Sequence, residues 1–288
     1  MRKFKEFIIE KLILISGLTS IFFVVLIFLF LLKEGLSVFQ TVTPFDFLFG
    51  KSWYPISEPA QLGILPLMMG SLIITLGATL ISVPIGIACA IYIAEVAPSK
   101  MKEILKAGIE LLAAIPSVVL GFIGMMTLVP WIKNVFNLPT GLTALSGSIM
   151  LAFMAMPTIV SIAEDALYSV PKSYKEGALA LGATHWQTIY RIIVPAASSG
   201  ILAAVMLGIG RVIGETMAVM MITGNAAVIP TSILQPVRTL TATIAAEMGE
   251  AVVGSEHYFA LFAIGIVLFI ISFIINVTSD LFLHRERK

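Results

Sequence analysis

The sequence predicts an all-α polytopic membrane protein, because of its composition, the length of its apolar runs and the distribution of its basic residues. Hydrophobic residues occupy 58% of the 288 positions and charged residues only 12%, whereas soluble domains carry about 25% charged residues. Six apolar runs are each long enough to cross a bilayer as a helix, which takes about 20 residues. They lie at about residues 12–32, 65–94, 107–132, 141–163, 196–222 and 258–283. The net charge of +1 provides no basic field for nucleic acid.

The first run is the one that could be mistaken for a secretory signal. It exceeds the apolar core of a signal peptide, which is about 7–15 residues long, and no A-x-A cleavage site follows it. We therefore expect an uncleaved transmembrane helix. Together with the outer loop that follows, which contains Trp53 and Tyr54 near the membrane interface, it forms a predicted N-terminal unit at residues 1–64.

Basic residues are distributed unevenly over the segments between the runs. With the N-terminus in the cytoplasm, 13 of the 18 fall on the inner side and 4 on the outer side, and Arg211 lies inside the fifth run. The inner set is Arg2, Lys3, Lys5, Lys11, Lys100, Lys102, Lys106, Lys172, Lys175, Arg191, Arg285, Arg287 and Lys288, and the outer set is Lys33, Lys51, Lys133 and Arg238. Cytoplasmic loops are enriched in Lys and Arg, so we expect a plasma-membrane protein with both termini in the cytoplasm.

Several residues within the runs suggest packing rather than chemistry. Small residues recur every four positions in the second run, a pattern typical of close helix packing; they are Ala78, Ser82, Gly86, Ala90 and Ala94. Pro116 interrupts the third run, where it either kinks a packed helix or borders a watery cavity. The single cysteine, Cys89, is expected simply to pack. Glu164 and Asp165, which follow the fourth run, are expected at the membrane surface.

The polar segment between the fourth and fifth runs contains signals for two short helices. Pro171 suits the first turn of a helix, and Ser173 and Glu176 have the spacing of a capping box. Gly182 is a plausible left-handed stop for this first helix. A second helix is expected over His185–Ile193, so the segment is predicted to form a helix–turn–helix.

Seven residues of this segment resemble the EAA loop of ABC importer permeases. The family pattern is E-A-A, three residues, G, nine residues and I-x-L-P, and all gaps match without insertion. The matching residues are Glu176, Gly177, Ala178, Gly182, Ile192, Val194 and Pro195, with Gly177 in place of an alanine and Val194 in place of a leucine. The resemblance implies a type I ABC importer permease fold, in which residues 164–197 form a cytoplasmic coupling loop that docks on an ATPase subunit. On the local pattern alone, an ordinary interfacial helix–turn–helix is the alternative.

An arginine and a glutamate lie inside the fifth run. A lone arginine at the centre of a membrane helix costs about 2.5–3.5 kcal/mol on insertion scales. Glu215 follows Arg211 by four residues, which in a continuous helix puts both side chains on one face. Either the two form a self-neutralising structural pair, or they line a path on which the guanidinium binds an oxyanion through paired hydrogen bonds.

Four further stretches resemble the C-type permease subunits of phosphate-specific ABC importers. They lie at residues 65–98, 110–124, 207–225 and 243–276. With the coupling loop, the resemblance covers most of the chain from Trp53 onward. It implies a permease core of five transmembrane helices at residues 65–288, with the first helix peripheral to that core.

The resemblance implies a subunit of an ATP-driven importer that translocates inorganic phosphate. The implied partners are a second homologous permease, two ATP-binding subunits on the inner side and a phosphate-binding protein outside. A permease for molybdate, tungstate or sulfate is one alternative, and an ATP-independent channel or carrier is another. The sequence contains no complete P-loop or nucleophile triad, and His185, His257 and His284 lack a metal-ligand spacing. We therefore expect a non-catalytic subunit without cofactor or metal.

Overall fold

The structure, a computed structural model, describes residues 2–285. Arg287 and Lys288 of the predicted inner set lie outside the described residues. The elements are α1 (Arg2–Gly35), a 3₁₀ turn (Leu36–Gln40), α2 (Pro44–Phe49), β1 (Trp53–Tyr54), β2 (Gln61–Leu62), α3 (Leu65–Ile91), a π turn (Tyr92–Val96), α4 (Ser99–Ala114), α5 (Ser117–Val135), α6 (Ala144–Tyr168), α7 (Lys172–Ala180), α8 (His185–Thr188), a second π turn (Ile189–Ile193), α9 (Val194–Ala196), α10 (Ser198–Gly214), α11 (Met217–Ile222), α12 (Leu240–Glu247) and α13 (Glu256–Arg285).

The predicted all-α membrane architecture is confirmed. Within residues 2–285, five helical stretches are long and apolar enough to cross a membrane: Ile9–Gln40, Leu65–Val96, Ser117–Val135, Ala144–Tyr168 and Glu256–Thr278. The sixth candidate is a broken one, in which His185–Ala196 and Ser198–Gly214 meet at an angle of 69°. The fifth run, predicted over residues 196–222, is divided into α10 and α11 by a break at Glu215 and Thr216.

The core lies between α3, α6 and α10, which pack side by side. Ile74, Leu151 and Val212, one from each helix, are at most 3% exposed. The predicted small-residue stripe of α3 faces this core: a Cβ on Gly86 would lie 2.9 Å from Ile159. A Cβ on Gly208 of α10 would lie 2.4 Å from the same side chain, so small residues allow both helices to approach α6 closely.

The first transmembrane helix lies at the edge of the molecule, as expected. Its most apolar window is not buried within the chain, and α1 packs on α13 and the 3₁₀ turn. Aromatic rings form part of that contact, with the ring centroids of Phe28 and Phe269 4.6 Å apart. The rest of α1 is therefore available to lipid.

The outer segments are joined by a polar cluster around Glu247, which sequence reasoning missed. Its carboxylate accepts a hydrogen bond from Trp53 Nε1 at 3.0 Å, lies 2.9 Å from His257 Nε2 and forms an ion pair with Arg238. Trp53 belongs to a small antiparallel hairpin in which it pairs with Leu62. The cluster thus fastens this hairpin to α12 and to the start of α13.

Two expectations about the inner half of the molecule are wrong. The third run is not continuous, because Ile115 and Pro116 are extended (ψ 127° and 140°) and separate α4 from α5. Proline disfavours helical backbone at the residue before it, which explains a break in this position. Cys89 does not pack in the interior but is exposed on the outside of α3, since the core face of α3 consists of the small residues on either side of it.

Candidate functional site: coupling segment and intramembrane arginine

Residues 169–197 form the predicted helix–turn–helix, which we call the coupling segment. The capping box proposed at Ser173 is absent, because Pro171 (φ −57°, ψ 133°) is already the N-cap and Ser173 lies inside α7. A capping box exists instead at α8, where Gln187 N donates to Thr184 Oγ1 at 3.2 Å and Thr184 N donates to Gln187 Oε1 at 2.9 Å. The Thr-x-x-Gln spacing was visible in the sequence.

Gly182 ends α7 as predicted. Its φ is +83°, its N–H donates to Leu179 O at 3.0 Å, and Ala183 N donates to Ala178 O at 3.1 Å. These two bonds define a Schellman motif, which satisfies carbonyls that the helix end leaves free. Two of the EAA positions thus form this turn, because Ala178 accepts a hydrogen bond and Gly182 supplies the left-handed backbone. A third position, Gly177, lies exposed one residue before Ala178.

The coupling segment exposes large apolar side chains. Leu181 is 91% exposed and Trp186 62% exposed, while Glu176 at the head of the EAA positions is also on the surface. The exposed apolar set is Tyr174, Leu179, Leu181, Trp186, Tyr190 and Ile192. A cluster of this kind on an otherwise polar segment is typical of a protein–protein contact surface. Val194 is half-buried and Pro195 exposed at the entry to α10.

A cleft of about 410 Å³ separates the coupling segment from the inner ends of α3 and α6. Glu95, Lys175 and Glu176 border it, with Ile193 and Leu167 among its apolar lining. Lys175 Nζ lies 2.6 Å from Glu95 Oε2 and forms an ion pair across the gap. The segment is therefore attached to α3 by charge as well as by packing.

Glu164, which the sequence predicts at the membrane surface, is buried within the chain in the last turns of α6. Its side chain is 4% exposed and lies 2.9 Å from Lys102 Nζ and 2.9 Å from Lys106 Nζ, both on α4. Hydrogen bonding to Glu164 raises the pKa of Lys106 above its ordinary value. Asp165 next to it is 69% exposed and 3.5 Å from Lys106. Glu164 is thus the residue that fastens α4 to α6, and Asp165 is peripheral.

Arg211 and Glu215 have different hydrogen-bond partners in the structure. Helix α10 ends at Gly214, and Glu215 is its C-cap (φ −72°, ψ 132°). The backbone oxygen of Glu215 accepts a hydrogen bond from Thr241 Oγ1 at 3.0 Å. Arg211 is exposed on α10, and its Nη1 donates to Thr158 Oγ1 of α6 at 3.1 Å. Within the described residues, Arg211 and Glu215 form no ion pair.

Glu215 borders a narrow crevice lined by hydroxyl groups. Its side chain is half-buried, and Oε1 lies 3.5 Å from the N–H of Ala218 at the start of α11, where a negative charge is favourable. The hydroxyls come from α3 and from the residues around the start of α12; they are those of Ser71, Thr75, Thr239 and Thr241. Sequence reasoning missed this set, although the Thr-Leu-Thr-Ala-Thr stretch at residues 239–243 was a visible signal.

The chain matches a family model described as "binding-protein-dependent transport system inner membrane component" over residues 82–288. That match covers the coupling segment, Arg211 and most of the core. The chain belongs to this family. It is a multi-pass inner-membrane permease subunit of an ABC importer, and a transport component rather than an enzyme.

Named relatives of this permease include phosphate transporters. The "Phosphate transport system permease protein PstC" of Mesorhizobium japonicum is 36% identical over 84% of this chain and 79% of its own length. The protein of the same name from Haemophilus influenzae is 34% identical over 94% and 92%. The "Probable ABC transporter permease protein YqgH" of Bacillus subtilis is 44% identical over 87% and 82%, and its name specifies no substrate.

Solved structures with the same fold are ABC importers. A bacterial transporter "involved in the import of the acidic polysaccharide alginate" matches with a TM-score of 0.67 at 16% identity, covering all of both chains. The MetNI methionine transporter, described as inward-facing, matches with a TM-score of 0.64 at 18% identity over 80% of this chain and 99% of its own. The predicted type I ABC importer permease fold is confirmed.

Proposed function

We propose that this permease translocates inorganic phosphate, with Arg211 as the anion-binding group of the path. The supporting observation is an exposed guanidinium on a membrane helix without a carboxylate partner among the described residues. Arginine has five N–H donors, and within the described residues Arg211 uses one, toward Thr158. The remaining donors suit an oxyanion, and two PstC proteins are 34–36% identical to this chain.

The face that contains Arg211 is the face we assign to the second permease subunit. A charged side chain facing lipid costs about 2.5–3.5 kcal/mol or more, so this face has to be covered in the assembled transporter. Gly210 and Gly214 flank Arg211, and outside the local helix backbone and chain neighbours no atom of the described residues lies within 4 Å of where their Cβ atoms would be. The surface is therefore free for a closely approaching helix, and the anion path runs between the two permeases.

Glu215 has a different role from the one its spacing suggested. Because it does not pair with Arg211, its carboxylate adds negative charge at a hydroxyl-lined crevice near the path. This charge opposes tight binding of phosphate and so favours release, which transport requires.

The coupling segment is the proposed contact with the ATP-binding subunits. Glu176, Gly177, Ala178 and Gly182 form its docking helix and turn, and Ile192, Val194 and Pro195 connect it to α10. Exposed Leu181 and Trp186 supply apolar area for a groove on the ATPase. Two such ATPases on the inner side and a phosphate-binding protein on the outer side complete the transporter, and both termini of this subunit lie in the cytoplasm.

The decisive experiment measures radiolabelled phosphate uptake by cells that carry Arg211→Gln. We expect uptake to be lost while the complex still assembles, as measured by co-purification of the ATPase subunits. Lys51→Gln, which removes a positive charge from the outer surface, is the control and should transport normally. Uptake at the normal rate by Arg211→Gln would refute the assignment of Arg211 to the path.

A second measurement separates phosphate from the other oxyanions. Unlabelled phosphate, molybdate, tungstate or sulfate is added in excess, and we expect only phosphate to abolish uptake of the label. Uptake that continues after ATP depletion would point instead to an ATP-independent channel or carrier.

A further inference from the structure

A single residue joins both halves of the coupling segment to the inner end of α3. Lys175 of α7 pairs with the Glu95 carboxylate at 2.6 Å, and the Glu95 side chain is 10% exposed. His185 of α8 lies on the other side of the Gly182 turn, and its Nε2 is 3.3 Å from the backbone oxygen of Glu95. The two short helices thus converge on one residue.

Glu95 lies in an unusual backbone environment. It belongs to the π turn Tyr92–Val96 that continues α3, in which Ala97 N donates to Tyr92 O at 2.8 Å. Such π turns are rare in proteins, and those that occur are often found at functional sites. A carboxylate at a helix C-terminus is repelled by the partial negative charge of the free carbonyls, and the Lys175 ammonium offsets this repulsion. The charge of Glu95 is therefore stabilised by the coupling segment rather than by its own helix.

The ion pair is also the most direct polar route from α7 to the membrane helices. Helix α7 packs mainly on α8 and on the second π turn, and the 410 Å³ cleft lies between α7 and the ends of α3 and α6. The ion pair thus adds a direct link between α7 and the end of α3 to the apolar packing of Ile193 in one cluster with Ala90 and Ile93. Helix α3 in turn packs along α6, the helix whose Thr158 holds Arg211.

We propose that Glu95 is a positioning residue for transport. The Glu95–Lys175 pair, supported by His185, makes the inner end of α3 follow the coupling segment when the ATPase subunits close. Movement of α3 then reaches α6 and, through Thr158, the guanidinium on the anion path. This inference rests on the proposed function, because it assumes that the coupling segment contacts an ATPase.

The test uses the complete transporter in proteoliposomes, with phosphate uptake and ATP hydrolysis measured on the same preparation. Glu95→Gln and Lys175→Met each remove one charge of the pair, and Glu95→Lys combined with Lys175→Glu restores it with exchanged signs. Lys100→Met is the control, since Lys100 lies exposed on α4, outside the coupling segment, and forms no ion pair within the described residues.

We expect the single variants to hydrolyse ATP while transporting less phosphate per ATP. Coupling between two sites typically corresponds to about 5- to 150-fold, so the ratio of phosphate to ATP should fall at least about fivefold. The charge-exchanged variant should recover most of the ratio, and the control should keep it. A residue with a purely structural role would lower assembly and both activities together.

Two results would overturn the proposal. One is a normal ratio in the assembled Glu95→Gln and Lys175→Met complexes. The other is a charge-exchanged variant that assembles but still transports less phosphate per ATP hydrolysed. This result would refute the proposal even if the single variants fail to assemble. Failure of the phosphate assignment can be told apart from failure of this proposal, because the unaltered complex would then take up no phosphate. The ratio of anion transported to ATP hydrolysed would in that case be measured with the anion that the complex does transport.

Discussion

Replacing Glu164 by glutamine should destabilise the subunit through one identifiable contact, the attachment of α4 to α6. Glutamine keeps the volume of the side chain but loses the negative charge that accepts hydrogen bonds from Lys102 and Lys106, both at 2.9 Å. A hydrogen bond to a charged group contributes about 1.5–3 kcal/mol. The lysine side chains are 26% and 43% exposed, so water replaces part of what they lose, and we expect a net loss of about 2 kcal/mol.

The neighbouring residue provides a matched control. Asp165 is 69% exposed and 3.5 Å from Lys106, and exposed ion pairs contribute about 0–1 kcal/mol. Thermal unfolding of the purified complex in detergent should show a fall in Tm of about 4–8 °C for Glu164→Gln, at about 2–4 °C per kcal/mol for a chain of this size. Asp165→Asn should shift the Tm less than Glu164→Gln does, by about 0–4 °C on the same scale. Equal shifts for the two variants would refute the assignment of the attachment to Glu164.

Glycine substitutions give the remaining predictions. Gly208→Val should destabilise the subunit by about 1–3 kcal/mol through overpacking against Ile159, read from thermal unfolding. Among the described residues, no atom outside the local helix backbone and the chain neighbours lies within 4 Å of a Cβ at Gly210. Gly210→Val should therefore leave the stability of the subunit unchanged and reduce co-purification of the second permease, and a normal yield would contradict the proposed interface. Gly182→Ala should cost about 1 kcal/mol because of its left-handed backbone and speed hydrogen exchange in α7, whereas Gly177→Ala should stabilise α7 by about 0.5–1 kcal/mol.

The membrane architecture and the coupling segment could be predicted from sequence because they depend on local information. The length of an apolar run fixes whether a helix can span the bilayer. The turn at Gly182 depends on the backbone freedom of one residue, and the packing stripe around Gly86 depends on side-chain size at a fixed spacing. In each case the residues that cause the feature are close together in the sequence, within the length of about one helix.

The candidate site could be predicted only in part, because its geometry depends on contacts between distant residues. No local pattern distinguishes Gly214 and Glu215 from the helical residues before them. The end of α10 coincides with a hydrogen bond from Thr241, 26 positions later. Glu164 is buried because α4 brings two lysines against it, and the sequence alone does not reveal this approach. The sequence singled out Arg211, Glu215 and Glu164, but it predicted none of the contacts that they make with Thr158, Thr241, Lys102 and Lys106.

The separation of Arg211 from Glu215 changes what the arginine implies about the assembled transporter. If the two formed a pair, the charge would be neutralised within the chain, and Arg211 would say nothing about its surroundings. In the observed geometry the guanidinium has one hydrogen bond within the described residues, to the neutral hydroxyl of Thr158. The cost of a positive charge at membrane depth is therefore not met by Glu215, and the rest of the stabilisation has to come from a second subunit, water on the path or the transported anion. Each of these requires the Arg211 face to be shielded from lipid.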